Sequence, residues 1–268
     1  MKASTAIGIG LAIAALLMGS MMDGTAPTAF INIPALLVVL GGTAGATLAS
    51  VGLPAMKQVP SLYKMITSTE PHDMAARSKQ LVALSDRARR EGLLALDAEL
   101  SNIEDPFTRK ALQLVVDGTD PDLVHAILEA ELDAMAARHE AAAAPFEKAG
   151  GFAPTMGIIG TVMGLVHVLA NLSAPSTLGP SISSAFMATL MGVGSANVIF
   201  LPIANRLKAI SAEEMELRMM TVEGVLAIQA GDNPRLVAEK LSSYVPPAAR
   251  IADHTQPAPV VDLEAQAA

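Results

Sequence analysis

The chain has no cysteine, no tryptophan and only two tyrosines, and 16% of its 268 residues are charged. The missing cysteines exclude disulfides and thiolate metal sites. The five histidines are scattered, with no His-x-x-x-His or similar ligand spacing, so no metal is expected. Without tryptophan, an aromatic belt at a membrane surface must be sparse. A net charge of −8 argues against nucleic acid as a partner, because phosphate binding needs clustered Lys and Arg. No nucleophile–base pair, metal-ligand spacing or phosphate loop is present, so neither an enzyme nor a bound cofactor is expected.

Four stretches, residues 3–22, 33–53, 151–170 and 183–203, contain no Asp, Glu, Lys or Arg at all. Each is close to the ~20 residues that cross a hydrocarbon core. With 51% hydrophobic residues and a mean hydropathy of +0.44, the composition is that of an integral membrane protein. The first stretch follows Lys2 as a signal peptide would. It is longer than a typical signal core, however, and is read as an uncleaved helix. A protein that conducted protons or cations alone would be expected to hold an ionisable group at mid-depth. Either this chain moves no ion, or a partner brings the charge.

The charges that are present set the organisation. All 18 Lys and Arg fall at Lys2, in the block 54–150 and after residue 203. The short loops 23–32 and 171–182 have none. The positive-inside rule then places both termini and the large block in the cytoplasm, with the spans arranged as two close pairs. The expected fold is an all-α integral membrane protein, with four transmembrane helices and a large helical cytoplasmic domain between spans two and three. Its expected parts are 1–53 (spans one and two), 54–150 (cytoplasmic helices), 151–203 (spans three and four), 204–245 (a helical extension) and 246–268 (a disordered tail). Within the block, Asp105-Pro106 and Asp120-Pro121 read as helix starts and Asp117-Gly118 as a stop. "PSLYKMIT", just past span two, reads as an interfacial segment.

Inside the spans the small and polar residues carry the information. Gly41-x-x-x-Gly45 and Gly160-x-x-x-Gly164 are spacings that let helix backbones approach closely. Thr161 and Thr189 sit near mid-span. Each hydroxyl either bonds the carbonyl four residues back, as membrane threonines often do, or lines a polar path against a partner helix. Asn197 is expected to bond between helices, and His167 to be a packed polar residue near the outer face. Pro154 and Pro202, near the cytoplasmic ends of their spans, are either static kinks or flexing points. A self-contained four-helix channel and a passive scaffold remain as rival readings.

"FINIPALLVVLGGTAGATLAS", "ARREGLLALDAEL" and "GFAPTMGIIGTVMGLVHVLANLSAPSTLGPSISSAFMATLMGVGSANVIFLPIANRL" together resemble the MotA/PomA family of flagellar stator subunits, over roughly residues 1–240. The resemblance implies a homopentamer in the bacterial inner membrane around a single-span MotB/PomB-like partner. That partner's transmembrane aspartate carries H⁺ or Na⁺, the charge this chain lacks. It further implies that the cytoplasmic domain pushes on a FliG-like rotor switch protein through charges matching Arg89, Arg90 and Asp97. The family's ion-path threonines match Thr161 and Thr189, and its functional prolines match Pro154 and Pro202. Many relatives have Thr-Thr where this chain reads Ala188-Thr189. Fewer hydroxyls favour H⁺ over Na⁺, which needs several oxygen ligands. The ExbB/TolQ energy transducers are the related alternative, but they usually have three spans.

Overall fold

The computed structural model describes residues 4–68, 73–173, 175–247 and 250. Lys2 and most of the tail expected to be disordered lie outside the described residues. Among those described there is no strand, and four helical stretches are long and apolar enough to cross a membrane. The helices are α1 (Ser4–Met22), α2 (Ile33–Leu36), α3 (Gly42–Ser68), α4 (Met74–Glu91), α5 (Asp97–Leu100), α6 (Pro106–Val116), α7 (Pro121–Ala170), α8 (Pro175–Ser195), α9 (Leu201–Gln229) and α10 (Pro234–Ser242). Two π-helical turns, Leu37–Gly41 and Ala196–Phe200, join α2 to α3 and α8 to α9.

The chain divides into a membrane unit, Met1–Pro71 with Ala136–Ser211, and a polar unit, His72–Met135 with Ala212–Ala268. This differs from the expected division at 54, 150 and 204. Leu62, Ile66, Ala143, Phe146, Ile203, Ala204 and Leu207 form one apolar cluster, so the flanks of the large block belong with the spans. "PSLYKMIT" is therefore half packed: Leu62 and Ile66 are buried while Tyr63 stays 53% exposed. Conversely, Met220, Val225, Ile228, Val237 and Leu241 share a core with Leu81, Leu112 and Leu128. The expected extension 204–245 is thus not a separate part. Apolar positions three and four residues apart on α4, α6, α9 and α10 need one another for burial.

Local chemistry fixes the ends of these helices. Asp73 caps α4 by accepting from the Ala76 amide at 2.9 Å. Asp105 caps α6 by accepting from the Thr108 amide at 3.1 Å, with Pro106 in the first turn. Gly118, at φ +74°, follows the end of α6, and the Asp120 carboxylate accepts from the Asp122 amide as α7 begins. In the membrane unit α3 breaks at Gly52, whose φ of +77° suits glycine alone, just before Pro54. The expected loop 171–182 is shorter than read, since α8 already starts at Pro175. A proline in the first helical turn costs no hydrogen bond, so this start is favourable.

Candidate functional site

Spans three and four, the C-terminal part of α7 and all of α8, meet through glycine and alanine. A Cβ added to Gly157 would sit 2.9 Å from the Ala188 carbonyl oxygen and 3.2 Å from Thr189 Cα. One on Gly192 would sit 2.5 Å from the Ala153 carbonyl oxygen. Gly160 faces the Ala188 methyl, and Gly164 faces that of Ala185. Only residues without side chains permit backbones this close. Gly41 and Gly45 behave differently. Among the described residues, no atom of another segment lies within 4 Å of a Cβ at either position, so they make no such approach there. Gly42, between them, is the glycine that meets Met156.

The close approach brings Thr161 and Thr189 together. Their hydroxyls are hydrogen-bonded to each other across the two helices. Thr161 Oγ1 also lies 2.9 Å from the Ala185 carbonyl oxygen and 3.1 Å from that of Gly157. A hydroxyl has one proton to donate. When Thr161 donates to a carbonyl, Thr189 donates to Thr161. Thr161 thus reaches the carbonyl four residues back on its own helix, as one of the two readings expected, and also bonds to the facing helix of the same chain. Both side chains are half-buried. The pair can turn a donor or an acceptor toward a third group, the versatility that a carboxylate changing its protonation state demands.

Alongside lies a pocket of about 390 Å³ lined by Pro34, Val38, Met163, His167, Ser181 and Ser184 among others. Asn32 bonds to Ser184, one of the lining residues. Its side chain caps α2 by accepting from the Ala35 amide at 3.1 Å and donates to Ser184 Oγ at 2.8 Å. Sequence reasoning missed this link between spans two and four; the signal was an Asn two residues before Pro34, a helix-start pattern. His167 is exposed rather than packed, with its Nδ1 3.4 Å from the Asn171 side-chain amide. Asn197 is exposed too. It donates to the Val193 carbonyl of its own helix at 2.9 Å and, among the described residues, not to another helix.

The prolines sit in unlike settings. Helix α7 continues through Pro154. Pro202 lies two residues past the π-helical turn Ala196–Phe200, after Leu201. A proline has no amide to give, and an extra residue in the preceding turn accommodates the lost bond. In the polar unit, Arg89 and Arg90 lie on α4 and Asp97 on α5. Gly92, at φ +88°, ends α4 after the two arginines, and Asp97 opens α5 beyond the 3₁₀ turn Leu93–Leu96. Arg90 is ion-paired with Asp86 one turn back. Near the base of α6, burial alone would push the Asp105 carboxyl up. The Thr108 hydroxyl and amide, with Arg77 and Arg218, outweigh it and hold the carboxyl below its usual range.

Four spans free of Asp, Glu, Lys and Arg, two of them held backbone to backbone around a hydroxyl pair, define the class of a multi-pass membrane protein. Residues 99–220 match the model of the MotA/TolQ/ExbB proton channel family. The chain is 37% identical over 253 residues to Motility protein A of Bacillus subtilis, covering 92% of each. It is 37% identical over 247 residues to Motility protein A of Borreliella burgdorferi, covering 92% of this chain and 95% of that one. Its fold matches the structure of the flagellar MotAB stator complex from Bacillus subtilis with a TM-score of 0.86 at 35% identity, over 93% of this chain and 98% of that chain. The chain belongs to the MotA/TolQ/ExbB proton channel family.

Proposed function

We infer that the chain is the MotA-type subunit of a flagellar stator, which couples ion flow to torque on the rotor. One observation carries the reading. The four spans hold no Asp, Glu, Lys or Arg, yet Thr161 and Thr189 form a hydroxyl pair where spans three and four touch. A MotB/PomB-like single-span partner supplies the missing aspartate. Protonating that carboxylate turns an acceptor into a donor, and the hydroxyl pair meets either form. Near-full-length similarity to Motility protein A favours this over the ExbB/TolQ energy transducers.

The finer assignments extend that reading. The transported ion is H⁺: Ala188 stands where a second hydroxyl would help to ligate Na⁺, leaving few oxygens to replace a hydration shell. The chain resides in the bacterial inner membrane with both termini cytoplasmic, as the placement of its Lys and Arg favours. Five copies surround the partner, and the largely uncovered apolar spans support contact with lipid and with other chains. Arg89, Arg90 and Asp97 touch the FliG-like rotor protein. Each ion delivers about 2.3 kcal/mol per 100 mV to that contact.

Thr189→Val keeps the volume and removes the hydroxyl. Swimming should fall severely while membrane insertion and partner binding persist, and a strain that swims normally would sink the ion-path role. Reversing the charges of Arg89, Arg90 and Asp97 together should abolish rotation with assembly intact. Unchanged torque would remove them from the rotor contact.

A further inference from the structure

His167 is the single ionisable side chain inside the four spans. Spans two, three and four, which surround it, hold no Asp, Glu, Lys or Arg, and Asp23 is the one charged residue in the two short loops. The imidazole is exposed, near the end of α7 that the charge distribution places on the outer side. An ionisable group in an apolar span is costly, and such groups mark ion and proton paths.

His167 lines the pocket of about 390 Å³ together with Ser181, Ser184, Ala185 and Ala188. That volume admits several water molecules, each of which occupies about 30 Å³ in the liquid. Gly160 lies in the same wall, about 10 Å along α7 from His167. At that end the Ala185 carbonyl receives the Thr161 hydroxyl at 2.9 Å, and Ala188 directly precedes Thr189. The cleft therefore runs from the imidazole to the level of the hydroxyl pair.

Ser181 and Ser184, one turn apart on α8, are the hydroxyls along it. Asn32 donates to Ser184 Oγ at 2.8 Å, so this hydroxyl keeps its own proton to donate. The Asn171 amide nitrogen donates to the His167 carbonyl at 2.8 Å and lies 3.4 Å from Nδ1. Its second hydrogen favours an unprotonated Nδ1 and leaves Nε2 as the nitrogen that exchanges protons. Pro34, Val38 and Met163 complete an apolar wall. Two hydroxyls are too few oxygens to replace the hydration shell of a metal cation.

We propose that this cleft is the outer entrance for the transported proton and that His167 is the acceptor at its mouth, a reading that rests on the stator function above. The neutral imidazole takes one proton from water on the outer side and becomes imidazolium. It gives that proton up along the cleft to the partner's carboxylate. The ring returns to neutral and the carboxylate becomes a carboxylic acid, so charge balances. An imidazole passes on a proton but no metal cation, and the entrance selects H⁺.

The test uses the full chain with its stator partner in cells lacking their own MotA-type subunit, as the parent, His167→Gln and His167→Ala. The readout is bead rotation at low load, where ion delivery limits speed. Histidine side chains change charge between about pH 5 and 8. At matched protonmotive force the parent should slow as external pH rises through that range, because fewer rings hold a proton. Both variants should turn several-fold slower and lose that dependence, with stall torque retained. External imidazole should restore speed to His167→Ala, whose cleft has room for the ring, and not to His167→Gln. Variants as fast as the parent, with its pH profile, overturn the proposal and leave the stator reading standing. A slow His167→Ala that imidazole does not relieve, with a lowered unfolding midpoint, overturns it too, since the role is then structural. A parent that restores no swimming overturns both readings.

Discussion

The polar unit and the membrane unit are both helical, but they are held together in opposite ways. The polar unit buries large aliphatic side chains completely, among them Leu81, Leu96, Leu112, Leu128, Ile228 and Leu241. The membrane unit leaves such side chains outside: Leu11 is 70% exposed, Val166 61% and Phe186 62%. Much of what its span contacts bury is small, including Ala35, Ala153, Ala185, Ala188 and Ala196. Water drives the first arrangement, since removing apolar area from it is favourable. Lipid supplies no such force, so the spans hold together by close backbone packing and by hydroxyl and amide bonds. The polar unit is closed on itself, and the membrane unit is finished by what surrounds it.

The comparison is broken most severely through glycine. In Gly192→Ala the new methyl would lie 2.5 Å from the Ala153 carbonyl oxygen and 2.9 Å from Gly157 Cα. Both are backbone atoms that cannot swing aside, so the expected cost is about 3 kcal/mol or more, with loss of swimming. Gly194→Ala, with nothing within 4 Å, should leave the fold of the chain unchanged. Thermal unfolding in nanodiscs separates them, and equal effects would mean that close approach is not what holds spans three and four. Next in size is Leu112→Ala. Its side chain is fully buried in the polar core, and truncation should cost about 2–5 kcal/mol in chemical denaturation. Leu11→Ala, on the exposed face of α1, should cost little. If Leu11 proved as costly, α1 would be packed against another chain and not against lipid.

What the sequence made legible follows the same divide. Spans, pairing and helix starts at Asp105 and Asp120 were readable, because apolar length and capping chemistry are local. Gly160 and Gly164 make close contacts, yet equal spacing at Gly41 and Gly45 gave none among the described residues. A GxxxG pattern states that approach is possible without naming the approaching helix. The π-helical turns were not legible, since one extra residue in a turn leaves the apolar pattern nearly unchanged. Nor was the assignment of residues 212–241 to the core of α4 and α6, from which they are separated in sequence by the whole of α7 and α8. The split of Arg90 from Asp97 was signalled by Gly92, but a lone glycine in a helical pattern is compatible with either outcome.

A smaller effect is expected at Asp105, where the polar unit depends on one ionised group. Asp105→Ala removes the cap of α6 and the partner of Arg77, 3.2 Å away. The expected loss is about 1–2 kcal/mol. Its folded pKa lies below the ordinary 3.8, so the carboxylate stabilises the fold fully above that value and ceases to as pH falls through the lower folded value. Acid unfolding of the chain should therefore steepen below about pH 4, and Asp105→Asn should flatten that limb. A variant with the same acid limb as the parent would show that other carboxylates control it.

The smallest stability effect is expected at Asp86, and it separates holding the fold from acting on a partner. The Arg90 and Asp86 side chains are 69% and 47% exposed, one turn apart on α4. Solvent screening and side-chain entropy leave such a pair worth about 0–0.5 kcal/mol. Asp86→Asn should shift unfolding by no more than that, while freeing the Arg90 guanidinium from its neighbour on the helix. If Arg90 meets an acidic surface of the rotor, torque in tethered cells should be kept or raised. A shift above about 1 kcal/mol would contradict the view that the polar unit is held by its buried leucines. Torque lost without any change in unfolding would instead place Asp86 itself in the contact.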